Sequence, residues 1–452
     1  MSFRSAATSC ALFALVGAMG AAMAGPSVFP TGVTTYDPTA AYNSDILYAT
    51  GNATYLIDMD GNLLRQWNKS GMPARIIDPA LAGGAKGEIG LQLSDVPKGS
   101  NLGGLGLVPG QQVMFRNQTI GYLDWSGQKI WDWGTQAPGG AALQHHDWQL
   151  LSNGDTLVLT NKVGKIKGFG DREMLDDVIY DIDKSGHTVW SWAASDHMAE
   201  FGFSPSDMQY LKSHTAADYL HMNDMQALGP NHWGKSGDSR FAADNILISS
   251  RNAGFLAIID RKTGKIVWRV GPHWSLSQTP YDFGGKQSVP FALDRLSGQH
   301  DANMIAEGLP GAGNILVFDN EGESGYPPIP MPVVQGSRVL EINPVTQQVV
   351  WMYTGTKATF FSPYISSVQR LPNGNTLIDE GIDGRFLQVT PQHKIVWEYV
   401  SPYLTDFMKN PMNSIVYRIQ AVPYDWLPAG TTHAEIAVTP PPRANFRVSS
   451  AK

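Results

Sequence analysis

The sequence predicts an all-β protein, a six-bladed β-propeller with long loops over one face. Six stretches carry this: "ATYLIDMDGNLLRQW" (53–67), "TIGYLDWSGQKIWDW" (119–133), "VIYDIDKSGHTVWSW" (178–192), "FLAIIDRKTGKIVWRV" (255–270), "RVLEINPVTQQVVWMY" (338–353) and "RFLQVTPQHKIVWEY" (385–399). Each places two apolar runs, alternating at period two, around a central turn, which is the pattern of a β-hairpin. Each carries a Trp in its second strand, suited to packing between blades. The copies recur at about 40 to 80 residues, the spacing of blades around an axis rather than of separate domains.

Taken from the start, "MSFRSAATSCALFALVGAMGAAMAGPS" has one Arg, an apolar segment and the small-residue run Ala22-Met23-Ala24. It reads as a signal peptide over 1–24, cleaved near Ala24, which implies a periplasmic or secreted protein. The apolar segment is shorter than the ~20 residues that span a bilayer, and no later stretch qualifies, so no membrane span is expected. The only cysteine, Cys10, falls inside it, so the mature chain has no thiol for disulfides, thiol catalysis or thiolate ligation. Loss of Arg4 and of no acid moves the net charge from -7 to -8, and charges of both signs are spread throughout, which excludes an electrostatic footprint for nucleic acid.

Residues 25–430 are assigned to the propeller, with the N-terminal blades the least regular. Segments 195–220 and 272–298 do not fit the repeat and are expected to be the long loops. From 401 on, "SIVYRIQAVPYDW" offers a closing strand, before a disordered Pro-containing C-terminal tail over 431–452. The "DMDG" and "DIDKSG" turns lack the downstream Glu of a calcium loop and read as hairpin turns.

Ahead of the hairpins run a second set of segments: "HHDWQLLSNGDTLVLTN" (145–161), "HMNDMQALG" leading to "DNILISSRN" (221–252), "QHDANMIAEG" leading to "GNILVFDN" (299–320) and "ISSVQRLPNGNTLIDEG" (365–381). Aligned on their Gly turns, His146, Asn223, His300 and Ser366 share one position. Asp147, Asp224, Asp301 and Ser367 share the next, and Gln149, Gln226, Asn303 and Gln369 share a third. His221 precedes Asn223 by two and points to the same face of a strand. In a propeller the first strand of each blade lines the channel and starts on the face where the second strand ends, here Asn161, Arg251 and Asn320. Radial repetition therefore brings His146, His221 and His300 together with Arg251 at one channel mouth. Polar channel linings that only bond water or neighbouring blades are a competing account. A turn, however, is served as well by Ser or Asn as by three histidines. Trp148, Trp233, Trp274, Phe360, Phe361 and Tyr364 lie in loops where they either stack an aromatic substrate or pack.

The segments "HHDWQLLSNGDTLVL", "ISSRNAGFLAIIDRKTGKIVWRVG", "GQHDANMI", "NILVFDN", "SRVLEINP" and "QRLPNGNTLIDEGIDGRFLQVTPQHKIVWEY" together resemble the bacterial arylsulfotransferase family, from about residue 140 to 400 and more weakly before. The resemblance implies an exported six-bladed propeller that moves a sulfuryl group from an aryl sulfate to a phenol through a sulfohistidine. It also implies that His221 and His300 hold the sulfuryl oxygens; the repeat register adds Arg251, Asn223, Asn303 and Asn320 as substrate-binding candidates. Imidazole suits such a transfer because it can attack sulfur and then leave, and Arg and amide groups stabilise the charge on the transferred oxygens. One departure stands out: a nucleophilic histidine is expected near the start of the last inner run, where "SPYISSVQRLPNGN" has Ser366 and Ser367. The "FDN" segment also continues as "FDNEGESG" rather than to an Arg. Either His300 or His146 then takes the catalytic place, or the scaffold serves other chemistry.

The catalytic candidates are thus His300, His146 and His221, the substrate a small aromatic compound, and no cofactor is expected. Three alternatives stay open. The three imidazoles could hold a divalent metal in a hydrolase or lyase. "IIDRKTGKIVW" is similar to the tryptophan-docking motif of quinoprotein dehydrogenases, although the chain is short for their eight blades. A non-catalytic binding propeller is the third. The sequence does not fix the oligomeric state.

Overall fold

In the computed structural model, residues 29–95, 117–214, 217–274, 289–404 and 414–440 are described. The expected signal peptide, 1–24, lies outside the described residues. Six antiparallel sheets of four or five strands form the six blades of a β-propeller.

Blade 3 runs from its inner strand outwards as Gln144–Leu150, Thr156–Lys165, Glu173–Ile182 and Thr188–Ala193. Blade 4 is Met222–Ala227, Ile246–Ser250, Phe255–Ile259 and Ile266–Val270. Blade 5 is His300–Met304, Ile315–Asp319, Gln335–Asn343 and Gln348–Thr356, with Phe291–Ala292 added at the edge. Blade 6 is Ser367–Arg370, Thr376–Glu380, Arg385–Val389 and Ile395–Val400. Blade 2 has the shortest inner strand, Arg75–Ile76, followed by Ile89–Asp95, Asn117–Leu123 and Lys129–Trp133. The outer hairpins fall where the repeat places them.

The ring closes by exchange of the chain ends. Blade 1 takes its inner strand from the C-terminal segment: Ile419–Val422 pairs with Asp45–Thr50, followed by Ala53–Ile57 and Leu63–Trp67. Gly32–Tyr36 in turn adds a fifth strand to blade 6 by pairing with Ile395–Val400. The tail expected from 431 is not loose over its described part. Tyr36 and Val438 exchange both backbone bonds (2.8 and 2.9 Å) and Ile436 N–H donates to Asp60 (2.8 Å). Residues 441–452 lie outside the described residues.

Middle strands are buried on both faces, because each blade packs against a neighbour on either side. Ile246–Ser250 and Phe255–Ile259 are buried throughout, which explains their near-continuous apolar runs, while the outer Ile266–Val270 keeps exposed positions. Each blade junction holds an apolar cluster, for instance Leu159, Ile179 and Trp192 of blade 3 against Met225, Ile248 and Phe255 of blade 4. Four of the six repeated tryptophans staple their junctions by a hydrogen bond, while the indole N–H groups of Trp67 and Trp133 have no hydrogen-bond partner among the described residues. Trp192 Nε1–H donates to Gly264 O (2.9 Å), Trp268 to Pro344 O (2.8 Å), Trp351 to Pro391 O (3.0 Å) and Trp397 to Met59 O (2.8 Å), each in the next blade's outer turn. The shared Gln/Asn position of the inner strands stitches the same junctions near the axis: Gln149 accepts from Ala227 N–H, Gln226 from Met304 and Gln369 from Ala421.

The irregular stretch after blade 3 contains a helix, Pro205–His214. Ser204 and Asp207 cap its start reciprocally, Asp207 N–H donating to Ser204 Oγ (3.1 Å) and Ser204 N–H to Asp207 Oδ2 (2.9 Å). The stretch folds over the ends of blades 3 and 4: Tyr219 Oη donates to Asp176 (3.0 Å), and Asp218 bridges Leu175. On the same face Trp274 Nε1–H donates to Gly254 O (2.8 Å) and His273 Nδ1 lies 3.2 Å from Asp207. Residues 275–288, within the second expected loop, lie outside the described residues. No helix among the described residues is long and apolar enough to cross a membrane.

Candidate active site at the channel mouth

The inner strands do not begin as regular β-structure. Their registers shift between Met222 and Asp224 and between His300 and Asn303, and in blade 3 where Gln144–Leu150 meets Val158 and Thr160. At or beside these places His146 (φ 56), His221 (φ 50) and Asp301 (φ 51) sit in the left-handed region, uncommon for side-chain-bearing residues, and so does Ser366 (φ 94), just before the regularly paired inner strand of blade 6. Bulges of this kind re-aim side chains. Here they turn the polar residues that begin each inner strand towards the axis instead of into the blade cores.

The histidines do converge. The His146 and His221 rings are 4.6 Å apart edge to face. Tyr417, from the closing segment, stands 5.4 Å from His146 and 6.3 Å from His300, its hydroxyl donating to Asn223 O (2.8 Å). Arg251 joins them through its backbone N–H to His221 O (3.1 Å). Its guanidinium donates to Asn252 Oδ1 (2.9 Å), and among the described residues no carboxylate lies within ion-pair distance of it. Burial lowers its pKa, opposed by Asp218, but an arginine remains a cation at neutral pH.

Each imidazole has a defined environment. His300 Nδ1 lies 2.9 Å from Gly298 O and 2.8 Å from Asn320 Oδ1, two acceptors that fix the proton on Nδ1. Nε2 therefore carries the lone pair, met only by a long contact from Ile365 N–H (3.2 Å). Burial first, then the charges of Arg251 and His221, hold the His300 pKa well below the ordinary histidine value, so the ring is neutral. His146, with Nδ1 2.8 Å from His145 Nδ1, is likewise pushed well down by burial and by His221. His221 Nδ1 contacts Asp218 Oδ2 at 2.5 Å, a carboxylate that orients the ring and leaves Nε2 for chemistry. Burial alone would raise the Asp218 carboxyl, but the charge and hydrogen bond of His221 outweigh it and hold it below its usual value.

The expected amide partners divide. Asn320 is consumed in holding His300, since its Nδ2 donates to Ser362 O and Ile365 O (both 2.7 Å). Asn223 donates Nδ2 to Gln299 O (2.7 Å), while its fully buried Oδ1 has no hydrogen-bond partner among the described residues. Asn303 lies on the channel wall, donating to Asp301 O (2.9 Å) and Val368 O (3.1 Å), and is a stitch to blade 6. Ser366 Oγ accepts from Gly381 N–H (3.1 Å). Of the aromatics expected in loops, Trp148 lies instead in the inner strand Gln144–Leu150, buried against Tyr122 with Nε1–H on Pro73 O (2.8 Å), Trp233 lies in the short helix His232–Lys235 and bonds Gly313 O (2.9 Å), and Phe360 packs on Phe318. Burial raises the Tyr364 pKa, opposed by the charge of the nearby Arg251.

Among the described residues no group of three or more His, Asp or Glu side chains is arranged to hold a metal ion.

The sequence profile of the family described as Arylsulfotransferase (ASST) matches residues 50–418, from the outer hairpin of blade 1 through blades 2 to 6 and up to Arg418. The chain belongs to the arylsulfotransferase family. No curated protein sequence matches this arylsulfotransferase-family chain. Among solved structures it is similar to a protein of unknown function from Bacteroides caccae (11% identity, 84% of this chain and 98% of that one, TM-score 0.42). A streptogramin B lyase (11%, 83% and 84%, 0.37) and the virginiamycin B lyase of Staphylococcus aureus (9%, 83% and 87%, 0.35) are also similar. These likenesses are too distant to bear on the activity of the family member described here.

Residues that the sequence did not single out complete the site: Asp218, which orients His221, Asn252, which supports Arg251, and Tyr417. Asp218 was detectable as an acid three residues before His221 in "DYLHMND". Tyr417 had its signal in "YRIQ" (417–420), which matches "HDWQ", "NDMQ" and "HDAN" and puts Tyr417 in the column of His146, Asn223 and His300, but this inner strand lies at the far end of the chain from the rest of blade 1.

Proposed function

We propose that this protein is an exported aryl-sulfate sulfotransferase in which His300 carries the sulfuryl group. The observation that supports this most is the state of His300: a buried, neutral imidazole with its Nδ1–H bound by two oxygens, its Nε2 lone pair accepting from Ile365 N–H, and the cation Arg251 close enough to lower its pKa. In the first half-reaction Nε2 attacks the sulfur of an aryl sulfate, an N–S bond forms and the S–O bond to the aryl oxygen breaks. The long bond from Ile365 N–H is exchanged for that bond. The ring gains positive charge, which the carbonyl of Gly298 and Oδ1 of Asn320 stabilise from the Nδ1 side. Arg251 offsets the charge on the sulfuryl oxygens.

His221, oriented by Asp218, gives a proton to the departing aryl oxide and takes one from the incoming phenol in the second half-reaction. That phenol oxygen attacks sulfur, the N–S bond breaks and its electron pair returns to His300 Nε2. Ser366 in the last inner run then needs no nucleophilic role, since the His300 imidazole already has the orientation and protonation state that attack requires. Steady-state kinetics with 4-nitrophenyl sulfate as donor and phenol as acceptor test the scheme. Parallel double-reciprocal lines are expected, while intersecting lines would overturn the covalent intermediate. Export is tested separately: the mature protein should be recovered outside the cytoplasm with its N-terminus near Gly25.

A further inference from the structure

Below the histidines the closing segment does more than complete blade 1. The Arg418 guanidinium lies on the axis, buried, and meets carboxylates from three successive blades. Nη1 is 2.9 Å from Asp147, Nη2 3.0 Å from Asp224 and Nε 3.2 Å from Asp301. Each of these aspartates is the immediate chain neighbour of a site residue: His146, Asn223 and His300. Two carboxylates also accept a backbone N–H from the next blade, Asp147 from Met225 (3.1 Å) and Asp301 from Val368 (2.7 Å). Blade 6, which has Ser367 at this position, follows the same pattern, its Oγ accepting from Ile419 N–H (3.1 Å) in the inner strand of blade 1. Residue 417 touches the rings and residues 418 and 419 grip the next shell in four blades.

The route of this segment is also built in. The second-strand position that holds Arg251 in blade 4 and Asn320 in blade 5 is Gly381 in blade 6, where a Cβ would lie 2.3 Å from Val416 O. Val416 N–H donates to Gly381 O (2.9 Å). Beneath lies a channel cavity of about 240 Å³, lined among others by Asp147, Asp224, Asp301 and Arg418, so the guanidinium has no packed layer on that side to hold it in place.

We propose that Arg418 is a positioning residue: by holding Asp147, Asp224 and Asp301 at once, it sets the spacing of His146, Asn223 and His300 around Tyr417. The kinetic arm of this inference rests on the sulfotransferase reading, but the geometric claim does not. Arg418→Lys keeps the charge and loses the fork that reaches three carboxylates. Gly381→Ala displaces the same segment without changing any charge.

The experiment compares both variants with the wild type in thermal unfolding, in kcat and KM for 4-nitrophenyl sulfate, and in the ¹⁵N-histidine spectrum. Misplacement of reacting groups by a fraction of an ångström to an ångström costs up to about 100-fold in rate. The expected result is a folded variant with kcat down by about 10- to 100-fold and KM nearly unchanged. The imidazole signals of His146 and His300 should shift while those of the exposed His187 do not. Unchanged kcat and unchanged spectra with only a lower melting temperature would overturn the inference and leave Arg418 as a structural strut. If the wild type transfers no sulfuryl group, the functional reading fails and the spectra alone decide the positioning claim. If Arg418→Lys does not fold, a folded Gly381→Ala with wild-type imidazole signals overturns it.

Discussion

Replacing Asp218 by Asn separates orientation from charge at the His221 imidazole. The two groups meet at 2.5 Å, with the aspartate side chain 4% and the histidine 18% exposed, so solvent screens the pair little. A charge-assisted hydrogen bond in such surroundings is worth about 2–3 kcal/mol. If it strengthens as His221 takes up a proton, its loss costs about 30- to 150-fold in kcat. The loss should depend on the donor. 4-Nitrophenolate leaves with little proton assistance, whereas phenolate from phenyl sulfate needs the acid, so the variant should be impaired more with phenyl sulfate. Initial rates over a series of substituted aryl sulfates measure this as a steeper dependence on leaving-group pKa. An equal loss with every donor, or a loss smaller than about threefold, would refute an acid–base role for His221. The same pair carries a pH signature. Because the Asp218 carboxyl is held below its ordinary value, its stabilisation is present above the unfolded carboxylate pKa and is lost as pH falls through the folded one.

His300→Gln should abolish turnover, measured as release of 4-nitrophenol, while the melting temperature falls only modestly. Parallel collapse of folding would make His300 a structural histidine. Burial pushes Glu380 up to about 7, with Arg385 opposing, so the stability it contributes is full below the unfolded carboxylate pKa and is lost as pH rises towards 7. Glu380→Gln should therefore flatten the dependence of melting temperature on pH between about 5 and 8, and an unchanged slope would contradict the assignment. Trp397→Phe removes the bond to Met59 O at the junction where the ring closes. It should cost about 1–2 kcal/mol in denaturant unfolding, and no measurable change would show that the staple is dispensable.

Most of the fold could be read from the sequence because a propeller repeats its physics. The same hairpin pattern and the same Trp recur in each blade: every one of these rings packs into a blade junction, and those of Trp192, Trp268, Trp351 and Trp397 also give their indole N–H to an acceptor in the next blade. The helix Pro205–His214 escaped because it is short and only two of its residues, Asp207 and Leu211, are buried, although Ser204-Pro205-Ser206-Asp207 spells its cap. Convergence of His146, His221 and His300 followed from equivalent places in successive blades. The roles of the amides did not follow, since sequence alone does not say whether Asn320 faces a ligand or the back of His300. Least legible was Arg418. Its carboxylate partners were visible as a repeated column, Asp147, Asp224 and Asp301, and Arg418 holds the same column in blade 1, hidden because that inner strand comes from the far end of the chain.

The central claim is that His300 Nε2 forms a bond to sulfur. Intact-mass spectrometry of the purified mature protein, after brief mixing with 4-nitrophenyl sulfate, tests it most directly. The account predicts a gain of about 80 Da that disappears on adding phenol, with peptide mapping placing it on His300. Release of 4-nitrophenol with the adduct on His146, or with no adduct at all, would contradict it.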